Sequence, residues 1–229
     1  MSWFTKAISS SLGKKFVMAS TGLFLIIFLL GHVSGNLLLF KDDGGQAYNF
    51  YAEFMTTSPI VQVLRILTAA SFILHIIYSI LLTRINRKAR PVEYKVTKPG
   101  ANTEWPARNM GILGTIIFVF LVIHLRTFLY EMKFGDVAYV DYGDLGRVKD
   151  LYTLVASTFS IWWYSILYIV MMVFLAFHLW HGFKSAFQTL GMKHRKYTPA
   201  IEKAGYAFAI IVPAVFAAMP IFFLIKSLG

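Results

Sequence analysis

Phe16–Phe40 reads FVMASTGLFLIIFLLGHVSGNLLLF, an unbroken apolar run with no formal charge and one titratable side chain, His32. A helix of about 20 apolar residues crosses the roughly 30 Å hydrocarbon core of a bilayer. Within lipid only a helix or a closed barrel keeps its backbone hydrogen bonds satisfied. Four further runs pass the same test: Ile60 to Thr83, Met110 to Tyr130, Ile161 to Phe183 and Ala204 to Ile225. The sequence therefore predicts an all-α integral membrane protein, with five transmembrane helices forming a single bundle over residues 1–229. Composition agrees, because 57% of residues are hydrophobic and only 14% charged, against about 25% charged in soluble domains. Lys14 and Lys15 precede the first run, as in a signal peptide. Its length and the lack of a small-residue cleavage site predict a retained helix instead.

The net charge of +11 does not point to nucleic acid, because the basic residues follow the loops. Lys6, Lys14 and Lys15 precede the first run. Arg84, Arg87, Lys88, Arg90, Lys95, Lys98 and Arg108 follow the second, and Lys184, Lys193, Arg195, Lys196 and Lys203 follow the fourth. The alternate connections are acidic, with Asp42, Asp43 and Glu53, then Glu131, Asp136, Asp141, Asp144 and Asp150. By the positive-inside rule the N-terminus is cytoplasmic and the C-terminus outside. The acidic connections contain aromatic and apolar residues over Gln46 to Thr57 and Leu145 to Ser160, which predict short interfacial helices or aromatic-belt loops. Arg84 to Arg108, with Pro91, Pro99, Gly100 and Pro106, reads as extended surface chain.

The chain has no cysteine. That excludes disulfides, thiolate-held iron-sulfur clusters and covalent haem attachment in this polypeptide. Four histidines, His32, His75, His124 and His178, sit in four different apolar runs. An ionisable group within a bilayer is costly, so each is a functional candidate. At 1.5 Å per residue from the nearest cytoplasmic basic residue, His32 lies roughly 25 Å deep and His124 roughly 24 Å. His75 and His178 lie only roughly 13 and 9 Å from the same boundary. The four therefore group as an outer pair, His32 with His124, and an inner pair, His75 with His178.

Two imidazoles facing each other across a bundle can hold haem iron from both faces of the macrocycle. Gly31 and Gly35 flank His32, Ser71 and Ser79 flank His75, and Gly182 follows His178, which would leave room for a macrocycle. Small residues also serve helix packing. His124 has Phe120 and Phe128 at the same spacing. Arg126 is a candidate propionate partner for the outer haem, with Arg65 as another, although snorkelling to the interface explains both. Lys14, Lys15, Trp105 and Lys184 are candidates for the inner one. His181, one turn beyond His178, approaches from the same side of the helix and so cannot complete a sandwich. Depth favours His178, leaving His181 to protons, a propionate or a quinone. His194, between Lys193 and Arg195, reads as solvated.

Gly31-His32-x-x-Gly35-Asn36, the stretch His178-Leu-Trp-His-Gly182-Phe-x-Ser-Ala-Phe-Gln-x-Leu-Gly191, and the order of the four histidines together resemble a known family over nearly the whole chain. That family is the two-haem cytochrome b membrane subunit of succinate dehydrogenases and fumarate reductases, found as a single five-helix chain. The resemblance implies two haem b groups, held by His75 with His178 on the cytoplasmic side and by His32 with His124 on the other. It implies a flavoprotein subunit that carries the dicarboxylate chemistry and an iron-sulfur subunit that passes electrons to this chain. It further implies a quinone, typically menaquinone, as substrate, and a bacterial cytoplasmic membrane as location. Some relatives carry an acidic residue shortly before the fourth histidine that assists proton movement, and Val173 to Phe177 has none.

For the quinone, Asn36, Tyr48 and Glu53 near the outer boundary are candidates, and interface anchoring explains each equally well. Two other classes remain open. One is a cytochrome b of the formate dehydrogenase or hydrogenase type, which usually puts two ligands on one helix. The other is a haem-free transporter in which Pro213 and Pro220 are functional breaks.

Overall fold

A computed structural model describes residues 2–3, 6, 9–89 and 104–229. Arg90, Pro91, Lys95, Lys98, Pro99 and Gly100 of the expected extended loop lie outside the described residues. The described chain runs α1 (Ser11–Asn36), a 3-10 turn (Leu37–Phe40), α2 (Gln46–Thr57), α3 (Pro59–Lys88), α4 (Trp105–Arg108) and α5 (Met110–Phe134). It continues with β1 (Tyr139–Asp141), β2 (Arg147–Lys149), α6 (Leu151–Ser160), α7 (Trp162–Thr189) and α8 (Thr198–Lys226). Five of these helices are long and apolar enough to cross a membrane, which gives the chain the build of an all-α, multi-pass membrane protein.

The helices outrun the apolar stretches that announced them. α1 begins at Ser11 and includes Lys14 and Lys15, α7 continues through Lys184 to Thr189, and α8 starts at Thr198. Hydrocarbon thickness limits the apolar run, whereas backbone hydrogen bonding limits the helix, and polar residues continue a helix into the interface. At 28 residues, α7 is about 42 Å long.

Interhelical corners are built by side chains that satisfy orphan backbone groups. Asp43 accepts from the Gly45 and Ala47 amides at 3.0 and 3.1 Å, opening α2. Ser58 is extended, as a residue before proline must be, and Pro59 starts α3. The Gln62 amide then reaches back to the Met55 and Thr56 carbonyls, at 3.2 and 2.6 Å. Between α6 and α7, buried Ser165 donates to the Phe159 carbonyl at 2.6 Å.

Gln46–Thr57 is helical over the span expected. Leu145 to Ser160 is not one helix: Arg147–Lys149 pairs antiparallel with Tyr139–Asp141, and helix begins only at Leu151. The cause is Asp150, whose carboxylate caps the Thr153 amide at 3.1 Å and fixes the start of α6.

The chain divides into two compact units. The first comprises Met1–Phe28, Ile66–Thr115 and Phe177–Ala209, the second Leu29–Arg65, Ile116–Ala176 and Ile210–Gly229. All the basic connections fall in the first and all the acidic ones in the second. The second is tied at α2 by Asn49, which is 1% exposed. Its amide donates to the Tyr142 hydroxyl and to the Asp150 carboxylate, both at 3.0 Å, and its carbonyl accepts from the Tyr152 amide at 2.8 Å. Gly35 of α1 lies under the Tyr51 ring so closely that a Cβ there would collide with it. That glycine therefore admits α2 onto α1 rather than leaving room for a macrocycle.

Candidate site: two facing histidine pairs

In the first unit, α3 presents His75 and α7 presents His178, with ring centres 6.3 Å apart and planes inclined by 66°. Thr21 of α1 sits behind His75, its Oγ1 3.3 Å from Nδ1. The threonine proton is already taken by the Val17 carbonyl at 2.8 Å. The imidazole must therefore be the donor, which leaves Nε2 as a lone pair. Gly22 makes the ring's position possible, since a Cβ there would stand 3.3 Å from His75 Cε1. The Nδ1 atom of His178 is buried and has no hydrogen-bond partner among the described residues, a costly state for a polar atom.

In the second unit, α1 presents His32 and α5 presents His124, with ring centres 5.8 Å apart and planes inclined by 88°. Asn36 donates to the His32 carbonyl at 2.7 Å and stands 3.4 Å from its Nδ1. Aromatic rings enclose the pair: Phe216 of α8 packs 5.5 Å from His32, and Phe120 and Phe128 pack 6.0 and 5.3 Å from His124. Directly after His124 the helix widens to π geometry over Leu125–Tyr130, a feature that recurs at functional sites.

The structure thus brings together the histidines that depth grouped. Two imidazoles bound to opposite sides of one metal, each through a bond of about 2 Å, place their ring centres about 6 Å apart, the separation found in both pairs. Each ring can turn about its own bond, so the inclinations are compatible with shared ligation. Among the described residues no group of three or more His, Asp or Glu side chains could hold a metal ion. A metal at either pair would need its remaining ligands from a cofactor, and a planar tetradentate macrocycle supplies four. A Cβ on Gly31 or on Gly182 would meet nothing within 4 Å, so neither glycine is required by packing within the chain, and Gly31 lies on the exposed surface. The donor sets fit haem.

Arg126 pairs with Glu131 and stacks 4.3 Å over the Tyr130 ring, while Arg65 is exposed. Lys184 lies between Glu202 at 3.4 Å and Glu104 at 3.6 Å. Trp105 packs on Phe177, Lys14 is half-buried, and Lys15 and His194 are exposed. His181 is in the first unit with His178. Tyr48 lies on α2, where burial, with Tyr51 beside it, pushes its phenol up to about 12. It is therefore a hydrogen-bond donor at neutral pH. Glu53, on the same helix, accepts from Thr56 and Thr57 through its carbonyl. Thr21, Gly22 and Phe216 were not legible in the sequence, since a lone hydroxyl, glycine or aromatic residue in an apolar run carries no signal of its own.

No family model, curated protein or solved structure matches the chain.

Proposed function

We propose that the chain is the two-haem cytochrome b membrane subunit of a succinate:quinone oxidoreductase in a bacterial cytoplasmic membrane, its N-terminus cytoplasmic. The observation that carries this reading is the meeting of four histidines from four membrane-length helices as two facing pairs, 6.3 and 5.8 Å between ring centres. His75 and His178 would hold the inner haem, and His32 and His124 the outer one. Haem supplies a one-electron couple whose potential the axial ligands and their surroundings set.

The chain's own residues prepare those ligands. Thr21 keeps the Nε2 lone pair of His75 available, and Gly22 admits the ring. Phe216, Phe120 and Phe128 give the outer pair an apolar, aromatic surround. Tyr48 retains its phenolic proton at neutral pH and can donate to a quinone carbonyl at the outer boundary. A chain without cysteine cannot hold thiolate-bound clusters; the family resemblance assigns the electron donor to a separate iron-sulfur subunit and the dicarboxylate chemistry to a flavoprotein. The quinone that best suits a two-haem member is menaquinone.

The test is a dithionite-reduced minus oxidised spectrum of the native complex, with haem stoichiometry and identification of the co-purifying subunits. The expected result is two b haems per chain, a flavoprotein and an iron-sulfur protein. A missing alpha band sinks the haem reading. A formate dehydrogenase or hydrogenase catalytic subunit in place of the flavoprotein moves the chain to that class.

A further inference from the structure

We infer that Tyr168 is a positioning residue for the outer pair: with Tyr164 and Thr127 it forms a hydroxyl chain that holds His124 as its Nδ1–H tautomer and leaves Nε2 as the free lone pair. The inference rests on the haem reading above, and concerns how this chain sets one of its ligands.

The direction of every bond in the chain follows from its far end. Thr127 Oγ1 lies 3.0 Å from the Ile123 carbonyl, and a carbonyl only accepts, so the threonine proton goes there. Thr127 Oγ1 is also bonded to the Tyr164 hydroxyl. With its single proton taken it must accept, so Tyr164 donates. Tyr164 and Tyr168 have their hydroxyl oxygens 3.5 Å apart, and the same count makes Tyr168 the donor. Tyr168 OH is 3.5 Å from His124 Nδ1. Its proton is now directed to Tyr164, so it accepts from the imidazole N–H. Because the chain ends on a backbone carbonyl, only this ordering satisfies every link; it orients the histidine and does not conduct protons.

The Tyr168 ring is held independently of its hydroxyl. It is 6% exposed and packs against Phe120, Phe159 and Tyr164 with centres 4.9, 5.0 and 5.1 Å away. Tyr168→Phe therefore removes the acceptor and leaves the packing. The inner pair repeats the logic with one link, since Thr21 gives its proton to Val17 and accepts from His75. A donor N–H engaged on the far nitrogen raises the basicity of the ligating one, and loss of such a partner typically weakens metal binding 10–100-fold.

The experiment is a potentiometric titration of both haems in the native complex, with haem transfer to apomyoglobin as a second readout. Tyr168→Phe is expected to raise the outer haem's potential and to speed its loss by about 10-fold or more, with the inner haem unchanged. Thr127→Val, which removes the terminal acceptor, is expected to shift the potential in the same direction by less. Two intact haems with wild-type potential and loss rate in both variants overturn this inference alone. An equal change at the inner haem also overturns it, by marking a general loosening. A wild-type complex without haem overturns the functional reading instead.

Discussion

Asn49→Leu keeps the branched shape and heavy-atom count of the tie beneath α2 and deletes its three hydrogen bonds, to Tyr142, Asp150 and the Tyr152 amide. A net hydrogen bond contributes about 1 kcal/mol. The bond to Asp150 is counted as an ordinary one, because that residue is only half-buried and water screens it. The loss is then about 3 kcal/mol, which raises the local opening constant by about a hundredfold at 1.4 kcal/mol per decade. Hydrogen exchange read by mass spectrometry on the detergent-solubilised complex should show it in peptides covering Gln46–Thr57 and Leu151–Ser160, with α7 peptides unchanged. Exchange accelerated less than threefold in those peptides refutes the reasoning. The pH dependence follows from Asp150. Burial pushes its carboxyl up, but bonds from Thr153 and Asn49 outweigh this and hold it below its ordinary value. A carboxyl depressed in the folded state stabilises above its unfolded pKa of about 3.9, and that contribution is lost as pH falls through the folded value. Protection in the wild type should therefore be full at neutral pH and decline only in strong acid. In Asn49→Leu one of the bonds holding the carboxyl down is gone, so the acid-dependent loss should be smaller and should be complete at a higher pH.

His75→Ala and His178→Ala should each deplete the inner haem, and His32→Ala and His124→Ala the outer one, read as separate components in redox titration; two members of one pair depleting different haems would undo the pairing. His181→Ala should retain both haems. Gly22→Val places methyl groups where even a Cβ stands 3.3 Å from His75, and should diminish the inner haem signal while the outer one survives. Gly35→Ala must displace Tyr51, at a cost of about 1–3 kcal/mol for overpacking, and should appear as faster exchange across Gln46–Thr57.

The histidine grouping is legible even though the helix ends are not, and the reason is margin. Lys15, Arg84 and Lys184 lie four or five residues inside the ends of α1, α3 and α7, whereas Arg108 lies two residues before α5 begins at Met110. These offsets differ in sign, but each amounts to at most about 8 Å of rise, less than the roughly 13 Å between the two levels. No such margin protects a single loop. Leu145 to Ser160 carries its apolar residues mainly from Leu151 onward, and Gly146 and the cap at Asp150 divide it. Gly35 has the right spacing for a cofactor neighbour and serves Tyr51 instead, because spacing reports which face a residue is on and not what covers that face. Arg126, two residues past His124, pairs with Glu131 and stacks on Tyr130 where the helix widens, neighbours that its distance along the sequence from His124 does not reveal. Long-range partners such as Thr21 for His75 or Tyr168 for His124 need the helix packing before they can be seen.

The hydroxyls beside the two pairs also explain why threonine suits this position in a membrane helix. In an apolar span a threonine proton has no water to meet, so it turns back to the carbonyl one turn earlier, as Thr21 does to Val17 and Thr127 to Ile123. That local bond contributes little to helix stability. It does convert the hydroxyl into an obligate acceptor toward any neighbouring side chain. An imidazole next to such an oxygen has one tautomer open to it, with its N–H toward the threonine or toward the tyrosine relaying it, and its lone pair on the opposite nitrogen. The choice that solvent would leave free is therefore made by the backbone, through a single proton, at one histidine of each pair.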